Sequence, residues 1–203
     1  MITDYATLQT EVANWLNRAD LTAQIPVLIQ MAEAHLNRTM RTNDMIQRET
    51  SEVTSGYISM PTDWVQTVTL LTLATPPVVL EYVRAEDLNN VRAAQATGDP
   101  CVYTILNKKF YMFPEPQAAL DVEMVYYAKI PDLATNDTNW MLDEHPDIYL
   151  LGSLLQAEVF LKGDDRLPVW ASLYKVATES LTTASEHAKR PDGGFNARRR
   201  TFG

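Results

Sequence analysis

The sequence predicts an α+β protein: a helical bundle built from both chain ends, a small antiparallel β subdomain inserted between them, and an extended C-terminal tail. Three observations predict it. Apolar residues recur at helical spacing in residues 1–43 and 131–190, whereas residues 44–130 change to short β-branched runs bounded by turn residues. The stretch 146–162 is apolar around most of its helical circumference, so it belongs inside a bundle and needs more walls than the last helix can supply. Residues 191–203 follow neither pattern and concentrate arginine, as a flexible tail would.

Taken in order, Thr3 or Asp4 can cap a helix in which Leu8, Val12, Trp15 and Leu16 recur at helical spacing. Asn17-Arg18-Ala19-Asp20 breaks it. A second helix opens near Thr22 or Gln24 with Pro26 in its first turn, where a missing N–H is harmless. Ile25, Leu28, Ile29, Ala32 and Leu36 form its inner face, and Glu33 and Arg38 look outward. Residues 45–53 and 57–60 flank Thr54-Ser55-Gly56, which reads as a hairpin turn. Residues 65–73 and 78–83 are strands around Thr75-Pro76-Pro77. Residues 84–95 are read as a short helix marked by Leu88, Val91 and Arg92. Residues 102–105 and 109–113 pair across Leu106-Asn107-Lys108. In 120–128, Val122, Met124 and Tyr126 alternate with Asp121, Glu123 and Val125, so one face is buried. Leu133, Trp140, Met141 and Leu142 bring the chain back to the helices.

The helix of 146–162 then carries Ile148, Tyr149, Leu150, Leu151, Leu154, Leu155, Val159, Phe160 and Leu161. Gly163 is a left-handed stop, and Asp164 or Asp165 caps the last helix. There Trp170, Leu173, Tyr174, Ala177, Leu181 and Ala184 form the inward stripe, with Lys175, Glu179 and Glu186 facing away. The first two helices are the missing wall.

Composition narrows the function. With 203 residues, 46% hydrophobic and 21% charged, the chain can bury a core and is ordinary for a folded soluble protein. No apolar run reaches the roughly 18 residues a membrane span needs, and no signal-peptide layout opens the chain. The single Cys101 excludes an internal disulfide framework. A net charge of −9 argues against general affinity for nucleic acid or anionic membrane. That charge is uneven: residues 189–203 hold five bases (Lys189, Arg190, Arg198, Arg199, Arg200) against Asp192, leaving 12 bases and 25 acids elsewhere.

Catalytic, cofactor and metal chemistry is not announced. His35 has no second ligand one turn away. His145, in Asp143-Glu144-His145-Pro146, is explained by a helix start with acids near the positive dipole end, since consecutive loop residues do not converge on a metal. His187 suits a helix C-terminus. Cys101 reads as a packed thiol, and Gly193-Gly194 precedes no helix that could hold phosphate. Glu158 falls among Leu151, Leu154 and Leu161 on a continuous wheel, so it is expected to form a structural ion pair with Lys162, or with Arg38 or Arg41.

Three stretches carry a resemblance. They are Ile2-Thr3-Asp4-Tyr5-Ala6-Thr7-Leu8 through Leu21-Thr22-Ala23-Gln24-Ile25-Pro26 to Leu36-Asn37-Arg38; Phe110-Tyr111-Met112-Phe113-Pro114 to Ile130-Pro131-Asp132-Leu133; and Pro146-Asp147-Ile148-Tyr149-Leu150-Leu151-Gly152 to Asp164-Asp165. In their order the chain resembles the head–tail adaptor (connector) proteins of tailed bacteriophages, also found in gene transfer agents. The likeness is a pattern of core positions and turns spanning nearly the whole chain.

The resemblance implies a structural virion protein made in the bacterial host cytoplasm. It would form a homo-oligomeric ring, commonly of twelve copies, docked under the portal protein. The ring extends the DNA channel and offers a platform for a downstream tail or neck protein. DNA would pass without specific binding, which an acidic lining favours. The tail fits docking onto the portal, with Phe195 and Phe202 as apolar anchors and Arg190, Arg198, Arg199 and Arg200 meeting carboxylates. The β insertion would serve lateral and downward contacts. Alternatives are a tail-completion or neck protein one layer down, and a soluble nucleic-acid-binding module that uses the Arg198-Arg199-Arg200 run.

Overall fold

A computed structural model describes residues 1–88, 90, 91, 98–161 and 163–189. The chain divides into two compact units: Met1–Asp44 with the described part of Ile130–Gly203, and Met45–Lys129. The first unit is helical, and helices from both chain ends pack together in it. In α1 (Tyr5–Leu16) Asp4 accepts the Thr7 N–H at 2.7 Å while Thr7 Oγ1 accepts the Asp4 N–H at 3.0 Å, satisfying two amides that a helix start leaves free. Asn17, in the left-handed region at φ 52°, ends it. A 3-10 turn, Ala19–Gln24, leads to α2 (Ile25–Thr39).

The second half of this unit comprises α3 (Leu133–Asn136), α4 (Trp140–Glu144), α5 (Pro146–Gln156), α6 (Glu158–Leu161) and α7 (Leu167–Ala188). Helix α5 packs against α1, α2 and α7 and buries Ile148 through Leu154 without interruption. Gly152 makes that crowding possible. A Cβ there would lie 3.2 Å from Cε2 of Tyr174 on α7 and 3.5 Å from Cβ of Ala32 on α2.

One helix is expected over 146–162, and the structure has two. At Ala157 the N–H bonds the Leu154 carbonyl at 3.1 Å, three residues back, which tightens the turn and resets the phase. Ala157 is buried, but Val159 and Phe160 beyond it are exposed. Glu158 is exposed too, so it does not lie among Leu151, Leu154 and Leu161 and carries no burial cost that a partner must offset.

The second unit holds two four-stranded sheets, ordered β1-β8-β3-β4 and β2-β7-β6-β5. Their strands are β1 (Ile46–Val53), β2 (Tyr57–Ser59), β3 (Trp64–Thr72), β4 (Val78–Val79), β5 (Glu81–Tyr82), β6 (Val102–Leu106), β7 (Lys109–Phe113) and β8 (Leu120–Ala128). Both sheets supply a single buried cluster that includes Val53, Leu70, Tyr103, Phe110, Met112, Val122, Met124 and Tyr126. The β6–β7 hairpin forms as expected, with Asn107 at φ 47° and Lys108 at φ 56°. Two successive left-handed residues match the twist of a tight hairpin.

Two strand expectations are corrected. Residues 45–53 and 57–60 do not form a hairpin: β1 pairs along β8, and β2 pairs with β7 in the other sheet. The reason is the length of ladder available, since β1 pairs eight residues with β8 and β2 offers only three. The run 78–83 is not one strand either. It divides at buried Leu80, giving β4 on β3 and β5 in parallel on β6, so the insertion is not purely antiparallel. Of the helix expected over 84–95, residues 89 and 92–95 lie outside the described residues.

Candidate interaction surfaces

The most heavily buried polar network of the helical unit gathers around α5. Glu33 on α2 is 6% exposed, contrary to its expected outward position, and its Oε1 accepts the Leu133 N–H at 2.9 Å. Asn139 donates to the Tyr149 hydroxyl at 2.8 Å and to the Pro131 carbonyl at 2.7 Å, while its own oxygen accepts the Leu142 N–H at 2.9 Å. These contacts tie the 131–142 segment to the bundle. Burial pushes the Glu33 carboxyl above its ordinary range, the Leu133 N–H opposes that, and nearby Asp132 adds to it.

A raised folded-state pKa means that protonation favours the fold. Stability is therefore greatest below the unfolded carboxyl value and declines as pH rises through the folded one. Glu33→Gln keeps an acceptor for Leu133 and has no proton to lose. The wild type is expected to lose stability relative to this variant as pH rises from the ordinary glutamate value of about 4.3 towards neutrality. Paired urea titrations across that range check it; a constant difference would remove the role assigned to Glu33.

Among the described residues no group of three or more His, Cys, Asp or Glu could hold a metal, and no helix is long and apolar enough to cross a membrane. His35 is tilted against Tyr174 with centroids 6.2 Å apart, beside a groove of about 500 Å³ lined largely by Thr39, Thr178, Thr182 and Thr183. The Cys101 thiol, half-buried, lies 3.8 Å from the Phe113 carbonyl.

Arg190, Phe195, Arg198, Arg199, Arg200 and Phe202 lie outside the described residues, as does Lys162. Arg38 is exposed at the end of α2, and it forms no ion pair with Glu158 within 4.0 Å. Arg41 donates to the Asn37 carbonyl at 3.1 Å.

A cation missed in the sequence does organise this region. Arg166 donates to the Trp15 carbonyl at 2.8 Å, to Asp164 at 2.6 Å and 2.9 Å, and stands 4.9 Å from the Trp170 ring centroid. It thereby satisfies the end of α1 from the start of α7. Asp164, held by that guanidinium and its backbone N–H, falls to about 2. Sequence spacing offers no sign of this contact, because its partners are about 150 residues apart.

The second feature missed is on α7. Leu173 and Ala184 are expected to face inward and are exposed, as are Val169 and Val176; Leu173 is 48% exposed and Val176 62%. At about 100° per residue, Val169, Leu173 and Val176 fall within about 60° of one another. Ser172, Ser180 and Ala184 continue this flank as far as His187, and it holds no Asp, Glu, Lys or Arg. The charges of α7 (Lys175, Glu179, Glu186) gather in a separate sector. The signal that could have found this flank is a second apolar stripe, lying apart from both the core stripe and the charges.

A family model described as SU10 adaptor protein matches residues 3–199. No curated protein sequence matches the chain significantly.

Proposed function

The chain belongs to the SU10 adaptor protein family, a family of phage structural adaptors, and from that premise we propose that it is the head–tail adaptor of a tailed-phage virion. In this reading a ring of twelve copies sits beneath the portal protein, extends the DNA channel, and presents the platform on which a downstream tail or neck protein assembles. The role is structural rather than catalytic. The observation that carries the reading is the family match over nearly the whole chain.

Two properties support it physically. Outside residues 189–203 the chain carries 25 acids against 12 bases, and a channel lined by such a body repels phosphates instead of gripping them. Residues 189–203 carry five bases against one acid and two phenylalanines. Such a segment gains charge-assisted hydrogen bonds and apolar anchors once it meets an acidic groove on another chain. We assign it to the portal.

The test combines both parts. Purified chain mixed with portal is expected to give rings at the portal's lower face in negative stain, and a chain lacking 191–203 is expected to lose stable attachment while keeping its circular dichroism and melting temperature. Normal portal attachment by the shortened chain would sink the assignment of the tail. Virion necks without this polypeptide would sink the adaptor reading itself.

A further inference from the structure

We infer that the uncharged flank of α7 in one copy packs on the outer face of α2 in the next copy, so that the ring is closed by a heterologous helix–helix contact. The inference rests on the adaptor reading and specifies which surfaces join the copies.

Helix α2 shows two opposed faces. Ile25, Leu28, Ile29, Ala32 and Leu36 are buried against the unit's own core. Val27, Met31, Ala34 and Arg38 fall within about 60° of one another on the opposite side. Val27 and Met31 are both 47% exposed. The sole acid of α2 is Glu33, which is buried, so its outer face presents apolar surface and one arginine.

On α7 the flank of Val169, Leu173 and Val176 points away from α2. Tyr174, Thr178 and Thr182, which line the groove shared with His35 and Thr39 of α2, lie roughly opposite that flank on the helical wheel. The helical unit thus carries two different apolar faces on two sides of itself. A twofold dimer would cover only one of them. A head-to-tail contact covers one face of each kind per junction and leaves the other pair for the next copy, until rotation closes the ring.

Charge fits a second copy as the occupant. Residues 1–44 and 130–188 contain 15 acids and 6 bases, so two copies repel over most of their surface. They can approach closely where acids are absent, and these two faces meet that condition. Helix α7, 22 residues or about 33 Å long, gives a contact typical of small transient interfaces, not of a permanent dimer. Pairs in solution are therefore weak, and the closed ring, where every copy is held on both sides, is stable.

The experiment uses the full chain with Cys101→Ser. Met31→Cys and Leu173→Cys are placed in separate preparations, which are oxidised alone and as a mixture, with and without portal. The expected result is a cross-linked pair in the mixture only, because a disulfide requires Cα atoms within about 7 Å. In parallel, Val176→Asp is expected to weaken self-association about tenfold or more, since a carboxylate would be enclosed in an apolar contact. Its melting temperature should not change, because Val176 is 62% exposed in the single copy. Glu179→Ala, in the charged sector, should leave association unaltered.

Cross-linking in the Leu173→Cys preparation alone would overturn the head-to-tail arrangement in favour of a twofold one. Rings visible by negative stain, with neither the mixed cross-link nor an effect of Val176→Asp, would overturn the choice of faces and leave the adaptor reading intact. Absence of any ring from the wild type, with portal present, would remove the adaptor reading and this contact with it.

Discussion

Tyr149→Ala is expected to destabilise the helical unit by about 3–5 kcal/mol, the range for truncating a fully enclosed aromatic side chain. Tyr149 has 0% exposure at the centre of α5, the helix that packs on α1, α2 and α7, so no solvent can enter to relieve the void. Two effects combine. The ring's contacts with its neighbours are lost, and the Asn139 side-chain amide loses one of its two acceptors, keeping the Pro131 carbonyl. Tyr149→Phe separates them: it retains the ring and removes the hydroxyl, and should cost about 1 kcal/mol. Urea denaturation followed by far-ultraviolet circular dichroism measures both variants. Near-equal losses would show that the hydroxyl, not the packed ring, dominates at this site.

Phe110→Ala is the corresponding test of the β unit, with an expected cost of about 3–5 kcal/mol. Phe110 is wholly buried on β7. It meets Trp64 edge-on at 6.2 Å between centroids and 75°, and Tyr103 at 6.0 Å and 54°. Each such pair adds on the order of 0.5–1.5 kcal/mol beyond area. Phe110→Leu keeps most of the buried volume but neither ring contact, and should cost about 1.5 kcal/mol. Hydrogen exchange at the β6 and β7 amides reads the effect where it arises. Unchanged protection in Phe110→Ala would mean that the aromatic cluster does not hold the two sheets' shared core.

The surfaces matter as much as the cores for a protein whose role is to join others. Exposed apolar residues on a helix cost little while alternative partners are few, and they give an interface once a matching surface arrives. On α7 that surface is segregated from the charges, so one helix can serve its own core with Trp170 and Leu181 and still present Val169 and Val176 outward.

Much of the fold is legible without coordinates. Asp4, one of the two expected caps, starts α1, Pro26 and Pro146 sit in first turns, and the alternation in 120–128 picks out Val122, Met124 and Tyr126 as buried, although Glu123, expected on the open face, is buried too and pairs with Arg48. The helices of the two chain ends pair as expected because each is too apolar to stand alone. The candidate site is much less legible. The expected burial of Glu158 assumes an unbroken helix, and the tightened turn at Ala157 invalidates that wheel. An apolar residue near a core stripe is usually covered, which would put Leu173 inside, but here the covering side of α7 is turned by Tyr174 and Trp170.

Which segments are helix and which are strand, and that the two ends form one helical unit, can be read from the chain alone, because capping, turn chemistry and apolar period act between residues a few positions apart. That β1 belongs to β8, that Leu80 divides a strand between two sheets, that Arg166 finishes α1, and which flank of α7 stays open emerge only in the packed molecule. Each of those is a choice among distant partners that differ little in local preference, and it is settled by the total ladder length and buried area of the finished packing.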